Sequence, residues 1–506
     1  MFVQSFGSAI VGIDALKITV EVNISSGIGM FLVGLPDNAV KESQERIRSA
    51  YQNSGYKMSG KKIVVNLAPA AIRKEGSAYD LTIAVAILAA TEQINVQTQS
   101  QYVIMGELSL GGDILPVKGV LPMAIKARED GFKGVIIPKA NAAEAAVVDG
   151  LDVYGVGSLG EVADFLNGII ELEPQKYDGS TYIDSELENI DFADVKGQQY
   201  VKRALEVAAS GGHNIIMIGS PGSGKTMLAR RMTTIMPPMT MEESLETTKI
   251  HSVAGKTGAT LGLLTTRPFR APHHLASQVS LTGGGASPMP GEVSLAHNGI
   301  LFMDELPEFG RATLEILRQP LEEKHIVVSR AKYTVDYPCN FMLLAAMNPC
   351  PCGYHNHPTK ECVCSPAAVI RYMNRISGPM LDRIDMHIEV SPVCYDDISS
   401  SVKSESSAQI RERVIAARKI QSLRFKDEGI YTNSMMNSAQ INSYCVLSEQ
   451  CRAILKRAMM AFNLSARAYD RILKLSRTLA DMASSEDVKP EHIAEAIRYR
   501  SLDREN

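Results

Sequence analysis

The stretch "HNIIMIGSPGSGKTMLARRM", residues 213–232, decides the fold of the central part of this chain. Its apolar beginning indicates a buried strand, and its end has the spacing of a helix. Between them, "GSPGSGKT" (219–226) fits the pattern G-x-x-x-x-G-K-[ST] of a phosphate-binding loop. Because a strand and a helix flank the loop as this motif requires, the stretch predicts a nucleotide-binding α/β domain. A Gly-rich turn that matches by chance is the alternative.

The residues of this loop predict how a nucleotide would be held. Gly219, Gly222 and Gly224 permit a tight turn whose N–H groups face a phosphate, and the helix N-terminus adds partial positive charge. Lys225 would reach the β- and γ-phosphates of ATP, and the Thr226 hydroxyl would bind Mg²⁺. The predicted nucleotide-binding residues are Gly219, Ser220, Pro221, Gly222, Ser223, Gly224, Lys225, Thr226 and Met227.

Two further apolar runs predict strands that end in catalytic side chains. "GILFMDE" (299–305) ends in Asp304 and Glu305, and "NFMLLAAMN" (340–348) ends in Asn348. Asp304 is expected to be the second magnesium residue, while Glu305 would polarise the attacking water. Asn348 would help to position that water. In "GPMLDRIDMHIEV" (378–390), Arg383 is a further candidate, with a local salt bridge to a flanking aspartate as the alternative.

The order of these elements resembles an AAA+ ATPase of the magnesium-chelatase-like group, and the whole chain resembles the ComM/YifB family. The matching stretches lie within residues 197–482 and are "GQQYVKRALEVAASGGHNIIMIGSPGSGKTMLARRM", "FRAPHH", "GEVSLAHNGILFMDELPEF", "AAMNPCPCG", "SGPMLDRIDMHIEV" and "LSARAYDRILKLSRTLADM". The resemblance implies a ring, expected to be a hexamer, with Arg383 as an arginine finger toward the neighbouring nucleotide. It implies that Arg467 is a sensor residue of a helical lid, with Arg471 as its rival. The implied activity is that of an ATP-driven DNA helicase or branch-migration motor of natural transformation.

Periodicity and resemblance together predict a multidomain α/β chain. Residues 1–170 alternate short β-rich runs with helical patterns, residues 171–190 lose that periodicity as a linker does, and the α/β pattern resumes over 191–395. Residues 396–506 are predicted as a helical lid. No stretch is apolar for long enough to span a bilayer, so we expect a cytoplasmic protein with no membrane partner. The net charge of −4 requires any DNA-binding surface to be local.

The N-terminal part resembles the α+β proteolytic domain of Lon in "KEGSAYDLTIAVAIL" (74–88) and "GELSLGGDILPVKGVLPMAIKAREDGFKGVIIPKANAAEA" (106–145). That fold uses a Ser–Lys dyad. Ser77 lies near the serine position, but Leu121 occupies the lysine position, and Lys118 precedes the turn. A serine without a general base is a poor nucleophile, so we expect a domain that keeps the fold without the chemistry.

A DNA contact is predicted in "EKHIVVSRAKYTVDYP" (323–338). Its pattern indicates a β-hairpin with Arg330 and Lys332 near the tip, and a solvated hairpin is the alternative. Such contacts, repeated around a ring, would give sequence-independent binding. The helical lid also carries a basic cluster, in which Lys456 and Lys474 are expected on a solvated face. In the Gly/Pro-rich insertion 265–297, His273 and His274 are expected to serve loop packing rather than ligand binding.

Four cysteines in "MNPCPCGYHNHPTKECVCSP" (347–366) predict a structural zinc site within an insertion at 350–364. Two Cys-x-Cys pairs can converge tetrahedrally on Zn²⁺, and the expected ligands are Cys350, Cys352, Cys362 and Cys364. His355 and His357 are substitutes, and unmetallated thiols are the alternative.

The sequence is compatible with three functions. A DNA motor that hydrolyses ATP is favoured. An ATP-driven chaperone or metal-insertion subunit of the magnesium-chelatase type shares every nucleotide-site residue. An ATP-dependent protease is disfavoured by the missing dyad.

Overall fold

The computed structural model describes residues 1–177, 179, 181–182, 190–257, 262–285, 288–330, 333–393, 404–500 and 502. The strands are β1 Phe2–Val11, β2 Asp14–Ser25, β3 Met30–Val33, β4 Lys62–Ala68, β5 Tyr102–Ile104, β6 Glu107–Leu108, β7 Ile114–Leu115, β8 Gly134–Pro138, β9 Asp152–Val156, β10 Thr181–Tyr182, β11 Ile215–Gly219, β12 Leu263–Leu264, β13 Phe269–Arg270, β14 Gly283–Gly284, β15 Met289–Pro290, β16 Ile300–Met303, β17 His325–Arg330, β18 Tyr333–Pro338, β19 Met342–Met347 and β20 Met386–Val390.

The helices are α1 Asn38–Asn53, α2 Asp80–Ala90, α3 Val96–Gln99, α4 Val120–Glu129, α5 Ala142–Ala145, α6 Leu159–Leu166, α7 Gln199–Gly211, α8 Lys225–Ile235, α9 Met241–Ala254, α10 Gln278–Thr282, α11 Glu292–Leu295, α12 Arg311–Ile316, α13 Arg318–Glu323, α14 Pro366–Met373, α15 Gly378–Leu381, α16 Ser407–Arg424, α17 Ser438–Tyr444, α18 Glu449–Ala461, α19 Ala466–Met482 and α20 Pro490–Arg498. Short 3₁₀ turns cover Lys139–Asn141, Phe192–Asp194, Leu306–Glu308 and Asn433–Met435.

The chain divides into two compact units. Unit 1 comprises Met1–Tyr182, Met241–Thr265 and Pro288–Pro290, and unit 2 comprises Ile183–Thr240, Thr266–Ser287 and Gly291–Asn506. The segment Met241–Thr265 follows the phosphate-loop helix in sequence, yet its helix α9 packs in unit 1, against α4. Local periodicity did not indicate this placement. The finer domain boundaries drawn from the sequence stay predictions.

Unit 1 is built on a seven-stranded mixed sheet in the order β3-β4-β2-β1-β5-β8-β9. Strands β1, β2 and β4 pair antiparallel, while β1–β5, β5–β8 and β8–β9 pair parallel. The helix α2 lies in the core, and all of its residues are buried. Apart from Asp80 and Thr82, its sequence is apolar because the helix is enclosed on every side. The mixed α/β pattern predicted for this part of the chain is confirmed.

Unit 2 contains a parallel five-stranded sheet in the order β13-β16-β19-β11-β20. Every residue of β11, β16 and β19 is buried. Parallel strands covered on both faces are apolar throughout, which is why the three runs could be identified from sequence. Since the strands are parallel, their carboxyl ends lie at one edge, where the phosphate loop, Asp304, Glu305 and Asn348 follow their strands. Arg383 precedes β20 and does not lie at this edge.

The C-terminal helices share one hydrophobic core with this sheet, through residues such as Val414, Ile472 and Leu479. The prediction that this part is helical is confirmed for the described residues. Serine caps at Ser406, Ser448 and Ser465 begin three of the helices by accepting a backbone N–H. Within the described ranges, no helix combines the length and the apolar character needed to cross a membrane.

Candidate active site

The phosphate loop leaves β11 at Gly219 and enters α8 at Lys225. A Cβ atom at Gly219 would lie 2.5 Å from the carbonyl oxygen of Val390 in β20, so the close approach of these strands requires glycine. Gly224 adopts a left-handed conformation with φ of 89° just before the helix, which glycine does at little cost. Gln198, which sequence analysis missed, ties the loop down because its Nε2 donates to the Ser223 carbonyl at 2.9 Å.

Lys225 is buried at the base of the loop. Its Nζ donates to the carbonyl oxygens of Gly219 at 2.7 Å and Ser220 at 3.0 Å, and to Asn348 Oδ1 at 3.3 Å. Burial lowers the pKa of Lys225, and the negative charge of Asp304 opposes that effect. Lys225 begins α8, whereas Asn348 follows β19, and the fold brings the two side chains into contact.

The two predicted magnesium residues are also adjacent. The Thr226 hydroxyl donates to Asp304 Oδ2 at 2.7 Å, and the backbone N–H of Glu305 donates to Asp304 Oδ1 at 3.0 Å. A hydroxyl and a carboxylate at one edge of the phosphate loop are the hard oxygen ligands that Mg²⁺ prefers. The donor set therefore fits Mg²⁺, with the remaining positions left to water and phosphate oxygens.

Glu305 is the second residue after β16 and lies in the left-handed region, with φ of 52° and ψ of 48°. Its side chain is 54% exposed, and its carboxylate oxygen Oε2 lies 3.5 Å from His274 Nδ1. His274 was expected to serve loop packing. It does pack edge-on against Phe309 and beside His273, but it also touches the predicted catalytic acid.

Arg383 is buried in this chain and points toward Glu322 of α13. Its Nη2 lies 2.7 Å from Glu322 Oε1, and its Nη1 donates to the Pro379 carbonyl at 2.6 Å. The partner is therefore neither of the flanking aspartates that sequence analysis offered as the alternative. The sequence contains no signal for this pair, because Glu322 is far from Arg383 along the chain.

The two rival arginines of the lid have different surroundings. Arg467 Nη1 lies 3.1 Å from Asp382 Oδ2, and its side chain is 60% exposed. Arg471 Nη1 lies 2.8 Å from Asp385 Oδ1, and that carboxylate is buried. Arg471 thus forms an ion pair with a buried carboxylate. Arg467 is the more exposed of the two arginines and can reach another partner.

One prediction about the lid is wrong. Lys474 is buried rather than on a solvated face, and its Nζ donates to the Ser434 carbonyl at 2.8 Å. Burial, with Arg471 nearby, lowers the pKa of Lys474 to about 8. Lys456 is exposed, as expected. The charge count along the helix could not reveal that α19 turns Lys474 inward.

The four cysteines of the predicted zinc site converge. Their sulfur atoms all lie within 4.8 Å of one another, and three of the separations are 3.3, 3.6 and 3.7 Å. A tetrahedral zinc–thiolate site with Zn–S of about 2.3 Å places its sulfurs about 3.8 Å apart. The backbone N–H of Tyr354 lowers the pKa of Cys352 to about 6, while desolvation and the neighbouring sulfurs raise the pKa of Cys362 to about 12. The donor set therefore fits Zn²⁺ without His355 or His357.

The cysteine loop also touches the phosphate loop. Gly353 N donates to the Cys350 carbonyl at 3.0 Å, and Gly353 has φ of 82°. A Cβ atom at Gly353 would lie 2.5 Å from Pro221 Cδ, so the two loops are in close contact there. Beside this contact, a cavity of roughly 140 Å³ is lined by residues of both loops, including Ser220 and His357.

The predicted hairpin is present. Strands β17 and β18 pair antiparallel from His325 opposite Pro338 to Arg330 opposite Tyr333. Arg330 is the last residue of β17. Lys332, the other predicted DNA contact, lies outside the described residues.

In unit 1, the surroundings of Ser77 differ from those of a Ser–Lys dyad. The Ser77 hydroxyl donates to the Glu107 carboxylate, and Leu121 is buried in α4. The buried Lys74 donates to the Gly34 and Pro69 carbonyls rather than to Ser77. Among the described residues, the Ser77 hydroxyl forms its hydrogen bond with a carboxylate and with no lysine.

Three family models match the chain, each over a different segment. They are "Subunit ChlI of Mg-chelatase" over residues 20–141, "Magnesium chelatase, subunit ChlI" over 191–398 and "Magnesium chelatase, subunit ChlI C-terminal" over 404–500. Among curated proteins, the chain is 44% identical to YifB of Salmonella typhimurium, over 98% of this chain and 96% of the relative. It is 43% identical to the competence protein ComM of Haemophilus influenzae, over 98% and 97%. A shorter match, 31% identical over 24% of this chain and 22% of the relative, links it to Lon protease 2 of Bacillus subtilis.

Proposed function

The chain belongs to the ComM/YifB family of magnesium-chelatase-like AAA+ proteins, and on that premise we propose that it is an ATP-hydrolysing ring motor that acts on DNA. The observation that carries the ATPase part is the meeting of Lys225, Thr226, Asp304 and Asn348 at one edge of the sheet in unit 2. Side chains from three different strand ends converge there on the place where a phosphate loop holds its ligand.

Each residue of this edge has a role in hydrolysis. Lys225 exchanges its loop carbonyls for the β- and γ-phosphates of ATP, and Thr226 and Asp304 hold Mg²⁺. Bound Mg²⁺ supplies charge neutralisation at the phosphate oxygens. Glu305 accepts a proton from the attacking water, and Asn348 orients that water.

The ring part of the proposal concerns the arginines. Arg383 acts on the nucleotide of a neighbouring copy, and Arg467 acts as the sensor of the lid. Since Arg383 is paired with Glu322 in the single chain, its use in a hexamer requires that pair to open when the neighbour docks. The exposure of Arg467 supports its choice over Arg471.

The DNA part rests on a relative and on the hairpin. The relative named as a competence protein supports a role in competence. We propose that the chain fills this role as a helicase or branch-migration motor in natural transformation or recombination. The β17–β18 hairpin ends in Arg330, and Lys332 follows in sequence. A few basic side chains per subunit, repeated around a ring, bind the DNA backbone without regard to sequence. Such a motor works in the cytoplasm, where cysteines stay reduced.

The double substitution Arg330→Ala/Lys332→Ala tests the DNA part. We expect strand displacement to fall roughly tenfold or more because phosphate contacts are lost at every subunit. ATP hydrolysis without DNA should stay near the parental rate. The matched control is Lys41→Ala/Arg48→Ala, which removes the same charge from the exposed face of α1. Equal loss of strand displacement in both variants, or none in the hairpin variant, would contradict the proposal.

A chaperone or metal-insertion subunit is the second candidate, because all three matching family models are those of a magnesium-chelatase subunit. It shares the nucleotide site and differs in its independence from DNA. An ATP-dependent protease is disfavoured by the surroundings of Ser77.

We also propose that the cysteine cluster holds a structural Zn²⁺. Four thiolates close the coordination shell, so the metal would stabilise the loop and leave no open position for a substrate. Because Gly353 of the cysteine loop lies against Pro221, the metal-bound loop would also support the phosphate loop.

Metal analysis tests this site. Purified protein is expected to contain about one zinc ion per chain, and Cys350→Ser is expected to lose most of it together with thermal stability. Cys445→Ser, which alters a buried cysteine outside the cluster, should retain the metal. Protein without zinc, and a Cys350→Ser variant of unchanged stability, would rule the site out.

A further inference from the structure

The strand β3 forms one edge of the seven-stranded sheet in unit 1. It stands at the end of the strand order and pairs with β4 alone. The strand at the opposite edge, β9, is engaged further, because Gln175 N donates to the Val153 carbonyl at 2.7 Å. Among the described residues, β3 is therefore the edge of this sheet at which another strand can add.

Two residues of β3 turn their backbone groups outward. Ile63 N donates to the Gly29 carbonyl at 2.9 Å, and hydrogen-bonding groups alternate in direction along a strand, so those of Phe31 also face β4. The N–H and C=O of Met30 and Leu32 then face away from the sheet. A two-fold axis at the central residue exchanges these two positions. A second copy of β3, running antiparallel, would thus satisfy the outward groups of both chains.

The side chains at this edge are apolar and exposed. Phe31 is 48% exposed and Val33 is 44% exposed, and Ile28 and Leu35, which flank the strand, are 87% and 59% exposed. The strand contains no charged residue and no proline, which are the residue types that commonly keep a second strand away from a sheet edge. An exposed apolar edge strand is a template for pairing with another chain.

Phe31 lies at the centre of such an antiparallel pairing. Its side chain would lie opposite Phe31 of the second copy in a non-hydrogen-bonded pair, in which side chains approach most closely. Aromatic pairs across strands stabilise a sheet beyond the area they bury. Val33 would lie opposite Gly29, which has no side chain to oppose it. The apolar side chains are therefore compatible with the same register as the backbone groups.

We propose that β3 is a self-association edge, at which two copies of this chain join their sheets about a two-fold axis at Phe31. The occupant is a second copy because the strand complements itself in both its backbone groups and its side chains. A contact of this isologous kind closes on itself and adds one copy only. The inference does not rest on the ATPase function. Because the strand has only four residues, the buried area is small and association should depend on protein concentration.

Sedimentation of the full-length protein without nucleotide, over a range of concentrations, tests this edge. The parental mass should rise toward about twice the starting value. Phe31→Lys/Val33→Lys should prevent that rise, because lysines block an edge strand and would repel across the axis. The matched control Val11→Lys/Leu16→Lys makes the same change at exposed apolar positions of β1 and β2, and should associate like the parent. Both variants should keep the parental melting temperature.

A cysteine at the axis tests the register. In Phe31→Cys, the two new thiols would lie within disulfide reach, so mild oxidation should give a dimer that a reductant dissociates. Leu16→Cys, at an exposed position of β2, should give no more dimer than the parent. The natural cysteines all lie in Gly291–Asn506, so the parent supplies their background.

Three results would overturn the proposal: a parental mass that does not change with concentration, equal loss of association in both lysine variants, or no more dimer with Phe31→Cys than with Leu16→Cys. An edge that captures an unrelated extended peptide while the chain does not self-associate would give the first of these results. The ATPase function is judged separately, because a protein that associates through β3 but hydrolyses no ATP would refute that function and leave this edge intact.

Discussion

Replacement of Glu305 by glutamine is expected to lower ATP hydrolysis by about a hundredfold to ten-thousandfold while nucleotide binding persists. Glutamine has nearly the same shape, but its amide cannot accept the proton of the attacking water. Lys225, Thr226 and Asp304, which would hold the nucleotide and its metal, are unchanged. Steady-state hydrolysis and the Kd of a fluorescent ATP analogue, measured on the same preparation, separate the two effects.

Glu308→Gln is the matched control for this substitution. Glu308 lies on the same short turn and is paired with Arg375 at 2.8 Å. The same change of carboxylate to amide there should leave the rate within about twofold of the parent, because an exposed pair contributes little. Loss of activity in both variants would mean that the turn, rather than the base, has been disturbed. If Glu305→Gln retained more than a tenth of the parental activity, Glu305 would not be the general base.

The second large effect is on stability. Arg471→Met is expected to lower the free energy of unfolding by about 3 kcal/mol, because it leaves the buried Asp385 without its cation. Burial alone would raise the pKa of Asp385, and Arg471 together with His213 outweighs it, so the pKa lies well below its usual range. His213 remains in the variant, with Nδ1 3.6 Å from Asp385 Oδ2, and compensates in part. Urea unfolding measures the difference.

The loss of stability in Arg471→Met is expected to depend on pH. In the parent, the depressed pKa of Asp385 stabilises the fold above the unfolded-state pKa, and this contribution is lost as the pH falls through the folded-state value. Without Arg471, burial favours the neutral acid. The difference in stability between parent and Arg471→Met should therefore be largest near neutral pH and shrink as the pH is lowered toward the ordinary range of an aspartate.

Arg467→Met is the control for the lid. Its partner Asp382 is partly exposed, and an exposed pair contributes about 0.2–1 kcal/mol. We expect this variant to unfold like the parent and to lose activity if Arg467 is the sensor. Equal destabilisation by Arg467→Met and Arg471→Met would contradict the assignment of Arg471 as the structural member of the pair.

Much of the fold of unit 2 could be predicted because its information is local. The strands β11, β16 and β19 are continuous apolar runs, the phosphate loop has a fixed spacing, and the hairpin is marked by two β-rich runs around a basic pair. The cysteine cluster was predictable for the same reason, since two Cys-x-Cys pairs lie close together in sequence.

What could not be predicted depends on contacts between distant residues. The pairing of Arg383 with Glu322, the burial of Lys474 and the contact of His274 with Glu305 each join separate elements. A basic residue on an amphipathic helix carries no local mark of whether it faces solvent or a carbonyl. The packing of Met241–Thr265 in unit 1 is of the same kind, because its sequence continues the nucleotide-binding part. The parallel pairing of β13 with β16 was the missing information for His274.

The measurement that tests the central claim most directly is ATP hydrolysis with and without DNA, at low and at moderate salt, with Glu305→Gln as the negative control. A DNA motor that holds the backbone through basic side chains should hydrolyse ATP several times faster with single-stranded or branched DNA at low salt, and raised salt should abolish the increase. Glu305→Gln should show no hydrolysis under either condition. An ATPase rate that single-stranded and branched DNA leave unchanged at low salt would contradict the proposal and favour a chaperone-type or metal-insertion function for the same nucleotide site.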